Sequence, residues 1–77
     1  MKLYEVPRNS LIKLSNRSVL RHKDDPNRVV DTFRFFHIDG AYSFCRIVGS
    51  NDDADIVNLS TSTDVEFIRS LTEEEMK

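Results

Sequence analysis

Apolar positions in this chain fall in short runs separated by polar, turn-forming clusters, which is the spacing of strands rather than of long helices. Residues 3–6, Leu3-Tyr4-Glu5-Val6, form the first run and stop at Pro7, and Pro7-Arg8-Asn9-Ser10 reads as a turn. Residues 11–14 predict a compact strand. Residues 15–27 are polar and basic and close on Asp25-Pro26-Asn27, so they predict a long loop, with residues 18–20 a candidate strand inside it. Residues 29–38 and 41–48 are rich in β-branched and aromatic side chains and flank Asp39-Gly40. That arrangement predicts a tight hairpin, because the favoured two-residue turn needs positive φ at its centre. Residues 51–55 read as a solvated turn before a strand at 56–59. Residues 65–68 fit two patterns. Thr63-x-x-Glu66 has the form of a helix capping box, with Val65, Ile68 and Leu71 on one helical face, whereas a strand there completes an antiparallel set. The strand is adopted, with residues 72–77 a frayed or briefly helical tail.

A two-residue loop at Asp39-Gly40 sets Ile38 opposite Ala41, His37 opposite Tyr42, Phe35 opposite Phe44 and Phe33 opposite Arg46. One face then carries Phe33, Phe35, His37, Tyr42, Phe44 and Arg46 and is expected to be the core. The other carries Arg34, Phe36, Ile38, Ala41, Ser43, Cys45 and Ile47. A hairpin apolar on both faces requires a closed barrel, a subunit contact, or a bulge that reverses the alternation. Short strands, a long early loop, a central hairpin and a small turn before the last strand resemble, in that order, the Src-homology-3-like barrels. The expected fold is therefore all-β: a small five-stranded antiparallel barrel over residues 1–69, with an acidic tail at 70–77. The chain has no Trp and no acidic early loop, so the resemblance implies architecture and not proline-peptide binding.

At 77 residues the chain makes one domain with a modest core, and such chains often recruit disulfides, metals or partner subunits. Cys45 is the only cysteine, which rules out an intrachain disulfide and a cysteine-type zinc site and leaves a homo-oligomer as the expected reinforcement. A lone thiol in an apolar run suits a reducing compartment, no run approaches a membrane span, and the opening residues begin no signal peptide; a cytoplasmic protein is expected. The net charge of −2 divides unevenly: nine cationic against five acidic residues over 1–46, two against eight over 47–77. Opposed halves of this kind mix on a folded surface or pair between subunits, and the acidic final third argues against nucleic acid.

Met1-Lys2-Leu3-Tyr4-Glu5-Val6-Pro7-Arg8, Phe36-His37-Ile38-Asp39-Gly40-Ala41-Tyr42-Ser43-Phe44-Cys45 and Val57-Asn58-Leu59-Ser60-Thr61-Ser62-Thr63 together resemble small uncharacterised proteins of tailed bacteriophages. The resemblance covers about two-thirds of the chain as scattered blocks. It implies a protein of an infected bacterial cell, without a catalytic motif, of the kind that antagonises a host enzyme or sequesters a host immune signal.

The residues themselves point away from catalysis. His37 is placed on the face opposite Cys45, two histidines and one cysteine are too few for zinc, and Asn51-Asp52-Asp53-Ala54-Asp55 lacks the central Gly and closing Glu of a calcium loop. Gly40 and Gly49 belong to no phosphate-cradling loop, and no cofactor is expected. Binding chemistry is present instead. His37, Tyr42 and Arg46, with Arg34 nearby, combine planar rings with guanidinium groups, as nucleotide recognition requires. Three functions stay open: a non-catalytic binder of a small anionic, nucleotide-like signal at a subunit interface; a protein-interaction module that occludes a host enzyme through Phe36, Ile38 and Ile47; and a weak nucleic-acid binder using the basic loop Arg17, Arg21, His22, Lys23 and Arg28.

Overall fold

The computed structural model describes residues 1–15, 19–22, 25–48 and 55–76, without the side chains of residues 22, 25, 26 and 28. The described residues form seven strands: β1 (Ser10–Leu14), β2 (Leu20–His22), β3 (Asp25–Val30), β4 (Thr32–Asp39), β5 (Tyr42–Ile47), β6 (Ile56–Val57) and β7 (Val65–Ser70). Five form one antiparallel sheet in the order β6-β5-β4-β1-β7, and β2 and β3 pair separately. The expected five-stranded barrel is thereby corrected to an open sheet with β6 and β7 at its edges.

The sheet does without closure because segments outside the strands cover its apolar face. Phe33, Phe35, Ile12, Leu14, Cys45, Ile47 and Val65 project from four strands, and Leu3, Val6 and Leu59 close over them. Phe33 and Phe35 are 0% and 1% exposed, so the two rings anchor the core. Leu3 comes not from the expected first strand but from a 3-10 turn, Leu3–Glu5. That turn forms because Glu5 folds back to accept the Lys2 backbone N–H at 2.8 Å, while Leu3 and Tyr4 donate to the carbonyls of Thr63 and Thr61.

Two expected boundaries move. The loop drawn through residues 15–27 contains β2 and the start of β3, with Asp25-Pro26-Asn27 in strand rather than closing a loop. The long run at 29–38 is cut at Asp31, whose carbonyl takes the Leu14 N–H at 2.7 Å, so Val29 and Val30 pair with β2 and not with β5. Of the solvated turn expected at 51–55, residues 51–54 lie outside the described residues, as do Arg17, Ser18, Lys23, Gly49 and Lys77, while Asp55 is 4% exposed and so buried rather than solvated. Residues 65–68 are strand, held by β1 through Leu14–Val65 and Ile12–Phe67 pairing. Past β7 the chain crosses back at Leu71 and enters a 3-10 turn, Glu74–Met76.

Candidate functional site

The central hairpin sets the geometry, and its register differs from the expected one in two ways. Its loop is Gly40-Ala41, with Asp39 opposite Tyr42. Only Gly40 has a positive φ there, +65°, so the turn needs one glycine at its first central position. The second difference is a bulge. Ile38 pairs Ser43 and His37 pairs Phe44, but Phe35 pairs Cys45, which leaves Phe36 as the extra residue. The Asn9 N–H donates to the Phe36 carbonyl at 3.3 Å, from a backbone with φ +60° that asparagine tolerates better than most residues.

The bulge divides what was expected to be one core face. Phe33 and Phe35 stay inside. His37, Tyr42, Phe44 and Arg46, expected alongside them, lie on the opposite, outer face. In exchange Ser43, Cys45 and Ile47 turn inward and Ile38 packs against the core. The expected apolar contact face of Phe36, Ile38 and Ile47 therefore does not exist as one surface: Ile47 is 5% exposed in the core, and Phe36 alone joins the outer face. Of the three apolar options open to the sequence, it is the bulge that operates.

The same register brings Arg34 to the outer side directly opposite Arg46, so all four candidate ligand residues, Arg34, His37, Tyr42 and Arg46, lie on one side of the sheet. His37 and Phe44 stack in parallel, ring centroids 5.5 Å apart and planes 2° off parallel. The Arg46 guanidinium lies 5.6 Å from the Phe44 centroid, within cation–π range, and Phe36 tilts against the same ring at 5.8 Å. Tyr42 is exposed at the open end of the row. Phe44, expected in the core, is thus the hub of an outer aromatic cluster.

Arg34 occupies a different environment. It is 5% exposed, and its two terminal nitrogens donate to the carbonyls of Glu75 (3.1 Å) and Ile47 (3.2 Å). The Glu75 carboxylate in turn takes a bidentate pair from Arg69 at 2.6 and 3.0 Å, and the Thr72 N–H at 2.9 Å. These donors hold the Glu75 carboxyl at about 2, the Arg69 guanidinium first among them, against an ordinary value of 4.5. Asn9, Leu71 and this Thr72–Arg69–Glu75 clasp carried no signal in the sequence beyond a capping-box spacing at Thr72-x-x-Glu75, which identifies them only once β7 is known to end there.

Cys45 is buried beside Ser43, with 3.3 Å between Sγ and Oγ; burial pushes its thiol up to about 11, so it stays protonated and lies on the core side, away from His37. Among the described residues no group of three His, Cys, Asp or Glu side chains converges as a metal site, and no helix is long and apolar enough to cross a membrane. Of the basic loop, Arg21 lies on β2 with an exposed side chain, while Arg17, Lys23 and the side chains of His22 and Arg28 fall outside the described residues. No protein-family model, curated protein or solved structure matches the chain.

Proposed function

We propose that this protein is a non-catalytic binder that takes a planar, anionic, nucleotide-like ligand on the outer face of the β4–β5 hairpin. The observation that carries the reading is the row formed by His37, Phe44 and Arg46: two rings parallel to within 2°, then a guanidinium over the second ring. A base stacked on the exposed His37 ring would extend that row. Stacking of this kind contributes about 1–3 kcal/mol per base. A phosphate would reach Arg46, where a charge-assisted hydrogen bond contributes about 1.5–3 kcal/mol. In the setting implied by the resemblance to phage proteins, such a binder acts in the bacterial cytoplasm as a sponge for a host nucleotide signal.

Calorimetry with a panel of mononucleotides and cyclic nucleotides tests the reading. Micromolar or tighter binding is expected for at least one, with a loss of about tenfold or more in His37→Ala and in Arg46→Ala. Both side chains lie outside the core, so circular dichroism of the variants should match the parent. Flat traces across the panel would refute this reading and favour occlusion of a host protein.

A further inference from the structure

The outer face carries a row of arginines assembled from distant parts of the chain. Arg46 on β5 lies opposite Arg34 on β4, Arg34 opposite Leu11 on β1, and Leu11 opposite Arg69 on β7. Neighbouring positions in such a row are about 5 Å apart, and like charges placed directly opposite repel. What lies across this row is the chain's own acidic end. Residues 71–76 hold Glu73, Glu74 and Glu75. Leu71 is buried and donates its N–H to the Asn9 carbonyl at 2.7 Å, which starts the strap across the sheet. Glu75 then engages the row twice, its carbonyl on Arg34 and its carboxylate on Arg69.

Little apolar burial holds this strap beyond Leu71. Thr72, Glu73, Glu74 and Met76 are exposed, and Glu75 is half-buried. Its attachment is mostly polar and reachable by water, the class of contact that contributes least and exchanges most readily. A phosphate-bearing anion offers Arg69 the same bidentate geometry with more charge, and offers Arg34 a charged acceptor in place of the neutral Glu75 carbonyl.

We propose that the carboxyl-terminal strap is a built-in competitor for an anion site. It holds Arg34 and Arg69 until an external phosphate-type anion displaces it, and Arg34 then grips that anion side by side with Arg46. This rests on the outer hairpin face being the binding surface, but not on base stacking.

The test uses inorganic pyrophosphate, which has no base, and the full chain at low salt. Calorimetry is expected to show Glu75→Ala binding it about five- to tenfold more tightly than the parent, the range of a modest intramolecular coupling. Glu74→Ala loses the same charge outside the clasp and should gain clearly less. Arg69→Ala also opens the clasp while subtracting a cation, so tighter binding there cannot arise from net charge. Arg34→Ala should lose binding. If either clasp variant binds no more tightly than the parent, or if no variant takes up pyrophosphate, the proposal is overturned. Should the variants fold poorly, NMR on the parent decides: pyrophosphate should move the Leu71, Thr72 and Glu75 amides toward unstructured shifts, and amides that stay in place overturn it. Strap release by pyrophosphate with no preference for nucleotides removes the base-stacking reading alone. Nucleotide binding that ignores the clasp variants removes the competitor alone.

Discussion

Replacing Ile38 by alanine and, separately, His37 by alanine tests the bulge on which the whole outer face depends. With regular alternation His37 lies on the same side as Phe33 and Phe35, and Ile38 faces away. With Phe36 as an extra residue the two exchange sides: Ile38 packs against the core cluster and His37 is exposed. A fully buried Ile→Ala change costs about 2–5 kcal/mol. Ile38 is only partly buried, which brings its expected cost to roughly half that range, about 1–2.5 kcal/mol. His37 gives up little beyond its stacking on Phe44, about 0.5–1.5 kcal/mol. Urea unfolding followed by circular dichroism reads the difference. With a slope near 1 kcal/mol/M for a domain of this size, the Ile38→Ala midpoint should fall by about 1–2.5 M, against about 0.5–1.5 M for His37→Ala. A third variant lacking Phe36 should still fold, because excising the extra residue leaves Phe35 inward, His37 outward and Ile38 inward. Its losses are the Asn9–Phe36 hydrogen bond and the Phe36–Phe44 ring contact. A larger loss for His37→Ala than for Ile38→Ala would refute the bulged register and the outer face built on it.

Other outcomes follow from particular residues. A Cβ at residue 40 meets no heavy atom within 4 Å, so the cost of Gly40→Val is chiefly conformational, about 1–2 kcal/mol for an L-residue at φ +65°; a melt within about 0.5 kcal/mol of the parent would contradict the turn. The Glu75 carboxyl is held near 2 against 4.5, so the clasp's stabilisation is complete above pH 4.5 and lost as pH falls toward 2. The Thr72 amide signal should therefore hold steady from pH 7 to 5 and titrate with a midpoint near 2, and a midpoint near 4.5 would mean the carboxylate is not clasped. Edge strand β7 leaves Phe67 and Ile68 43% and 46% exposed, which supports self-association; light scattering at micromolar concentration should give a mass above 9.0 kDa that Ile68→Glu reduces, and a monomer throughout would exclude it.

What the sequence determined by itself was local. The β-branched and aromatic runs, the glycine at residue 40 and the short turn at residues 60–63 were sufficient to place the strands at 11–14 and 65–68 and the central hairpin, because strand propensity and turn stereochemistry act over a few neighbouring residues. The grouping of Arg34, His37, Tyr42 and Arg46 was also legible as chemistry, since ring and guanidinium residues cluster within thirteen positions. Which face they occupy was not. A single extra residue in β4 reverses the alternation, and nothing in the Phe35-Phe36-His37 run marks which residue is the extra one; the choice is made by the Asn9 contact and by how the two phenylalanine rings fill the core. Openness of the sheet likewise depends on Leu3, Val6 and Leu59 covering the apolar face from outside the strands. The arginine row and its acidic strap required β1, β4, β5 and β7 to lie side by side, which brings together residues up to 58 positions apart, Leu11 and Arg69. Side-chain pattern selects the elements, whereas register and coverage are settled only when long-range packing makes one pairing cheaper than its neighbours.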